Sequence, residues 1–311
     1  MDLLAAMRIF VRVVERGSMS GAARDLGIGQ PAVSERIERL EQYLGVQLLR
    51  RNSRALACTD EGLLFHTRCQ HVLDAAEEAC AAVAKGAEGI FGTVRIAAPQ
   101  CFGGVVLPRA LLRIRELHPR LCIELVLNDL VVDPVTEGVD MSLRLGATGE
   151  GNFIAHPLGH VRRMLVCAPD YLVRHGNIAS PRDLANHPFI HVKGQFNNEH
   201  LPLIGARQSE MLVPIRPCIV VSHWRPMYEM LLAGAGVGVV QEPACADALA
   251  VGRLVRLLPS HAVPAVELNA LVPAARPVPL KTQAVVAILK AHLPGAAALG
   301  TGPLTGPGQP I

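Results

Sequence analysis

The chain has 311 residues, half of them hydrophobic and 18% charged, with a formal net charge of +3. That length accommodates two or three domains with packed cores, and no apolar run approaches the roughly 20 residues of a membrane span. Met1-Asp2-Leu3-Leu4 lacks the basic region and cleavage site of a signal peptide, and the eight cysteines form no Cys-x-x-Cys pair, so a cytoplasmic chain with reduced thiols is expected.

Residues 18–54 predict a short helix, a turn at Leu26-Gly27-Ile28-Gly29 and a second helix opening at Gln30-Pro31. That order is a helix-turn-helix, which places one helix in the DNA major groove. Val33, Ile37, Leu40 and Leu44 recur at helical spacing and form the expected buried stripe, leaving Gln30, Ser34, Glu35, Glu38 and Glu41 turned outward. Pro31 suits the first turn, and Gly29 is a tolerable N-cap. Groove-reading helices touch base edges through their N-terminal residues, so Gln30, Pro31 and Ser34 are the candidate base contacts. Residues 48–59 predict two short extended pieces around an arginine-rich tip, a β-wing whose Arg50, Arg51 and Arg54 can pair with phosphates or enter a narrow minor groove.

At these residues the chain resembles the N-terminal domain of LysR-type transcriptional regulators. The matching pattern is Ala22-Ala23, then Gln30-Pro-Ala-Val-Ser34, then Leu40-Glu-x-x-Leu-Gly45, with Leu48, Arg51, Arg54, Thr59 and Gly62 in the wing region. Met19 and Leu49 replace usual phenylalanines, Gly29 a usual serine, and Glu35 stands where the family often has arginine, with Arg36 next door. The resemblance implies a DNA-binding regulator with Ser20 and Arg36 among the contacts to DNA. The partners it implies are double-stranded DNA carrying a pseudo-palindromic site, a small-molecule effector, further copies of the chain as dimer or tetramer, and RNA polymerase. It implies no membrane, cofactor or metal. Charge is segregated in agreement: residues 20–58 hold six arginines against four acids, and residues 59–88 hold six acids against two bases.

Thr59 is a good N-cap, with Asp60 and Glu61 favouring the dipole of the helix that follows. Phe65, Cys69, Val72, Ala76, Ala79 and Val83 then recur in steps of four and three, a heptad seam. It reads either as one face packed on its own domain or as a dimerising helix. The resemblance favours the dimer. Residues 86–92 are glycine-rich and read as a hinge.

Beyond the hinge, strands are predicted at 93–98, 121–127, 139–145, 163–167, 189–192, 218–222 and 237–241, with helices at 105–117, 131–137 and 226–235. A βαβ series of this kind calls for an α/β sheet. The expected architecture is α/β overall: a winged helix-turn-helix (1–58), a linker helix (59–88) and a two-lobed α/β effector domain (89–295) resembling type 2 periplasmic binding proteins. Lobe one would span about 90–164 plus 265–295, lobe two about 165–264, and 296–311 would be a disordered tail.

Ligands in such sheets lie outside the carboxyl ends of strands. Those ends give Pro99, Gln100, Cys101, Phe102, Arg144 and Gly146 on one side. On the other they give Gln195, Phe196, Asn197, Ser222, His223 and Trp224, the only tryptophan. An aromatic wall beside cationic donors suits a small organic carboxylate. Two alternatives carry less weight. A redox or metal sensor could use Cys101 or the pairs His156/His160 and His187/His191, but a proline or strand interrupts each histidine pair. An enzyme would need a nucleophile elbow or a Gly-x-Gly-x-x-Gly loop, and residues 234–238 have neither spacing.

Overall fold

In the computed structural model, residues 1–52, 55–83, 89–129, 134, 138–196, 199–205, 209–274 and 278–293 are described. The chain divides into two compact units, Met1–Gly92 and Thr93–Ile311. Among the described residues, no helix is long and apolar enough to cross a membrane.

The first unit opens with three helices, α1 (Leu3–Arg16), α2 (Met19–Leu26) and α3 (Gln30–Leu44). The side chains of Asp2 and Ser18 cap α1 and α2 by accepting the amides of Ala5 and Gly21. Gly27 ends α2 at φ 64°, a conformation that L side chains resist, so the tight turn into α3 depends on it. Strands β1 (Leu49–Asn52) and β2 (Ala55–Cys58) form an antiparallel hairpin, and α4 (Asp60–Val83) follows. One core joins these elements: Phe10 and Val13 of α1, Ala22 and Ala23 of α2, Val33, Ile37 and Leu40 of α3, Leu48, and Cys69 and Leu73 of α4.

The second unit is built on a seven-stranded sheet. Its strands are β3 (Gly92–Ala98), β4 (Leu121–Leu127), β5 (Met141–Leu145), β6 (Phe153–Cys167), β11 (Gly238–Gln241), β12 (Val255–Arg256) and β13 (Val263–Pro273). Their order is β11-β6-β13-β5-β3-β4, with β12 also on β6. The long strands β6 and β13 run antiparallel from Arg163 opposite Val263 to Phe153 opposite Pro273. They carry β5 and β3 on one flank and β11 on the other. Helices α5 (Gln100–Val105) and α6 (Leu107–Leu117) follow β3.

Between β6 and β11 lie α7 (Pro169–His175), a 3₁₀ turn (Pro181–Asn186), and β7 (Pro188–Val192) parallel to β10 (Arg216–Val221). The β8 (His200–Ile204) and β9 (Glu210–Pro214) hairpin and α8 (Trp224–Leu232) complete that stretch. Helices α9 (Glu242–Ala250) and α10 (Leu280–His292) come later. Strand alternation fills two cores: Leu165, Phe189 and Val239 face one, and their neighbours Val166, Ile190 and Val240 face the other.

Most differences from the sequence-based expectation have visible causes. The strand expected at 163–167 begins ten residues earlier, at Phe153. Residues 153–160 pair with β13, whereas β11 reaches only 163–166, so the early part of β6 is an edge that tolerates Pro157. The β8–β9 hairpin goes beyond that expectation: Leu201 and Leu203 alternate inward as a strand requires, but Pro202 between them argues against a strand in sequence. The helix expected at 131–137 and the tail at 296–311 lie outside the described residues.

Candidate DNA interface and effector cleft

The first unit presents α3 and the β1–β2 wing from one packed base. Val33, Ile37 and Leu40 anchor the buried face of α3, which leaves Gln30, Pro31 and Arg36 exposed at its start and Ser34 half-buried. Gln30 Nε2 donates to Ser34 Oγ at 3.2 Å, so the two candidate base contacts sit side by side. Pro31 occupies the first turn as expected. Ser20 is exposed on α2. Glu35 does not stand as a bare negative charge, because Arg39 one turn on pairs with it at 2.6 Å. Exposed Arg36 and Arg50 have no carboxylate partner among the described residues. Arg51 lies on β1, with its side chain outside the described residues, and Arg54 lies outside them entirely.

The wing is tied to α3 by a residue expected to face solvent. Glu41 Oε1 accepts the amides of Leu48 and Leu49 at 2.7 and 3.0 Å, fixing the entry to β1. Thr59 completes the joint: its Oγ1 donates to the Gln47 carbonyl at 2.7 Å and accepts the Gly62 amide at 2.9 Å, and its own amide donates to the Leu48 carbonyl. Gly62 is packed so closely that a Cβ there would lie 2.0 Å from the Leu48 carbonyl oxygen.

On α4 the structure corrects the predicted seam. Cys69 is fully buried in its own unit, and Phe65 packs against Phe10 with ring centroids 5.5 Å apart. Both serve the intramolecular core, because α4 lies against α1. Val72 is 43% exposed, Ala79 is exposed, and Ala76 is half-buried; the side chain of Val83 is outside the described residues. Leu64, at 63% exposure, and Ala75 share the outward side with Val72 and Ala79.

In the second unit a cleft of about 220 Å³ opens at the strand ends. Pro99, Cys101, Arg144, Gln195 and Trp224 come together on its wall, joined by Asp129, Lys193, Met227 and Gln241, among others. Arg144 is buried on β5, and its Nη1 donates to the Asn128 carbonyl at 3.2 Å. Lys193, on the turn after β7, is exposed and pairs with no carboxylate among the described residues. Trp224 opens α8, with Arg225 stacked 5.7 Å from its ring and Tyr228 beside it.

Several expected contacts serve the scaffold instead. Phe102 is buried, 1% exposed, behind the cleft wall. Phe196 turns into the core against Phe189 and lies under the Arg163 guanidinium. His223 Nδ1 accepts the Arg225 amide and so caps α8. The amide of Gly146 donates to the Glu267 carbonyl in the turn after β5, away from the cleft lining. Gln100 and Ser222 also lie outside that lining, and Asn197 is outside the described residues. The first amide of α5, at Gln100, is taken by Asp129 Oδ1 at 2.8 Å and is not open to an anion.

Burial, reinforced by Asp129 and Cys245, pushes the Cys101 thiol up to about 12. A thiol held protonated is a poor nucleophile, which weighs against Cys101 as an oxidant sensor. His187 is committed to the Tyr171 hydroxyl at 2.8 Å. No group of three or more histidine, cysteine or acidic side chains among the described residues could hold a metal.

Three kinds of similarity to known proteins bear on these units. The model for the bacterial regulatory helix-turn-helix protein, lysR family, matches residues 4–63, and that for the LysR substrate binding domain matches residues 87–294. An HTH-type transcriptional regulator of Escherichia coli K12, YhjC, is 32% identical over 279 residues, covering 89% of this chain and 93% of the relative. PtxR of Pseudomonas aeruginosa is 30% identical over 285 residues, covering 91% of each. The solved structure of CrgA, a LysR-type regulator from Neisseria meningitidis, superposes with a TM-score of 0.58 at 24% identity over 92% of this chain and 98% of its own.

Together with these relatives, which are transcriptional regulators and not enzymes, the winged helix-turn-helix and the α/β domain define a DNA-binding transcriptional regulator with an effector-binding domain. The chain belongs to the LysR family.

Proposed function

We propose that this regulator reads a pseudo-palindromic site through Gln30, Pro31 and Ser34, with Ser20, Arg36, Arg50, Arg51 and Arg54 on the DNA backbone. Its working parts are a DNA-binding domain (1–58), a linker helix (59–88) and an effector domain (89–295) with lobes at about 90–164 plus 265–295 and 165–264. The outward side of α4, carrying Leu64, Val72, Ala75 and Ala79, pairs two copies, and the dimers assemble into a tetramer. The chain acts in the cytoplasm, with DNA, its own copies and RNA polymerase as partners.

The effector is a small organic carboxylate in the cleft. The observation that carries this reading is the pairing of Arg144 and Lys193 beside the Trp224 wall in a cleft of about 220 Å³. Arg144 lies on β5 and Asp129 just past β4, whereas Lys193, Trp224 and Gln241 come from the segment between β6 and β13. A ligand touching both sets binds some inter-lobe angles better than others, and that differential affinity is all that coupling requires.

The test is a titration of the intergenic DNA beside the protein's own gene, at two salt concentrations, with and without a panel of carboxylates. Specific binding that shifts with a carboxylate supports the reading. Specific binding indifferent to every acid, together with no acid bound by the free protein, refutes the ligand class and leaves the DNA function.

A further inference from the structure

The cleft holds more hydrogen-bonding capacity than a simple anion would use. Gln195 ties both ends of its amide to the backbone: Nε2 donates to the Val239 carbonyl at 2.9 Å, and Oε1 accepts the Val192 amide at 3.3 Å, which braces β7 against β11. Gln241, the last residue of β11, behaves differently. It stands at the N-cap of α9, yet its side chain makes no capping bond. Its Oε1 is buried and receives no hydrogen bond from any described residue, and the residue lines the cleft. Buried polar atoms are normally satisfied, and leaving one without a donor disfavours the empty state.

Asp129 is a second acceptor on the wall. One of its oxygens caps Gln100, and an ionised carboxylate keeps further lone pairs for other donors. Cys101, beside it, is a neutral thiol that cannot balance a charge. Between these polar groups Trp224, Met227, Val239 and Val240 give an apolar wall.

We infer that the effector is bifunctional: besides a carboxylate held by Arg144 and Lys193 it carries a hydroxyl or ammonium donor accepted by Gln241 and Asp129. The ligand class is therefore hydroxy- and amino-carboxylic acids, and Gln241 is the specificity-determining residue. This rests on the carboxylate reading above and narrows it.

Trp224 is the only tryptophan, so the intrinsic fluorescence of the full chain reports on the cleft directly. Two matched series serve as probes: butanoate, 3-hydroxybutanoate and 3-aminobutanoate, and 3-phenylpropanoate, 3-phenyllactate, phenylalanine and 2-methoxy-3-phenylpropanoate. In at least one series the donor-bearing acid is expected to bind about ten-fold more tightly than its parent, with the methoxy compound no better than the parent. Gln241→Leu should bring donor-bearing and parent acids within about two-fold, leaving the parent's affinity in place. Gln241→Met, closer in shape, is measured alongside so that a folding defect in one variant does not decide the outcome. Asp129→Asn keeps the cap on Gln100 and should reduce the preference for amino acids in particular.

Equal affinity for parent and donor-bearing acids, a methoxy compound as tight as the hydroxy acid, or a preference surviving in both folded Gln241 variants overturns this inference alone. If no member of either series perturbs Trp224, the carboxylate reading fails and this inference fails with it.

Discussion

Replacing Gly62 by alanine tests the joint between wing and recognition helix. The new Cβ would lie 2.0 Å from the Leu48 carbonyl oxygen and 3.2 Å from Thr59 Oγ1. Both are pinned: the carbonyl accepts the Thr59 amide at 3.0 Å, and Thr59 Oγ1 accepts the Gly62 amide. Relief needs a displacement of about 1 Å, enough to break one of these bonds or to push Leu48 off Glu41. Overpacking costs about 1–3 kcal/mol, and a lost hydrogen bond or cap about 1 kcal/mol more, so about 3 kcal/mol is a fair expectation. For a unit of 92 residues this corresponds to a fall in Tm of roughly 15 °C. Circular dichroism melts read the stability, and a DNA titration well below the melt reads the wing. Affinity should fall about ten-fold even where the variant is folded, because Leu48 leads straight into β1. A variant melting within a few degrees of the parent with unaltered DNA affinity would refute the account of this joint.

Other predictions concern the remaining surfaces. Ser34→Ala should flatten discrimination among operator variants, whereas Arg50→Ala should weaken all of them alike and lower the salt slope by about one; identical patterns would void the division of roles. Val72→Glu should shift the chain toward monomer in analytical ultracentrifugation without a large change in Tm; a loss of stability with unchanged association would mean that this face packs internally. Thiol labelling at neutral pH should reach exposed Cys80, Cys122 and Cys218 first. It should be slow at Cys101 and Cys245, both pushed up to about 12 by burial, and mass spectrometry of the labelled peptides gives the order. Raising the pH within the range the fold tolerates should accelerate those two sites, since the thiolate fraction grows ten-fold per pH unit below the pKa. Rapid labelling of Cys101 at pH 7 would return the redox reading to consideration.

The helix-turn-helix was legible because local rules agree there: caps, a helical apolar stripe, a proline in the first turn and a turn glycine all mark the same boundaries. The strand-end rule likewise assembled Pro99, Cys101, Arg144, Gln195 and Trp224 on one wall. Applied to every strand, it would also have found Asp129 just past β4 and Gln241 at the end of β11. It could not tell which side of a strand end faces the cleft. Phe102 and Phe196 are aromatic residues at the right place in the chain, yet both turn into cores. His223 looked like a donor to a ligand, but a histidine two residues before a helical amide can cap it instead, and it does. Glu41 shows the same limit for a charge: sequence marks it as solvent-facing, whereas tertiary contact gives it two backbone amides seven and eight residues away.

The linker helix shows why periodicity alone stops short of an interface. Steps of three and four announce an apolar face but not what covers it. Here α1 covers part of that face, and Phe65, Cys69 and Leu73 are consumed by the core of their own unit. What remains for a second copy is the adjoining side, where Leu64 and Val72 stand 63% and 43% exposed among alanines. Exposed Arg68 stands one turn from both Leu64 and Val72, so the exposed side carries a charge among its apolar residues, and small residues dominate the later turns. A heptad count over Phe65, Cys69 and Val72 merges the two faces into one seam. Separating them requires knowing that α4 returns onto α1, a contact between segments more than fifty residues apart.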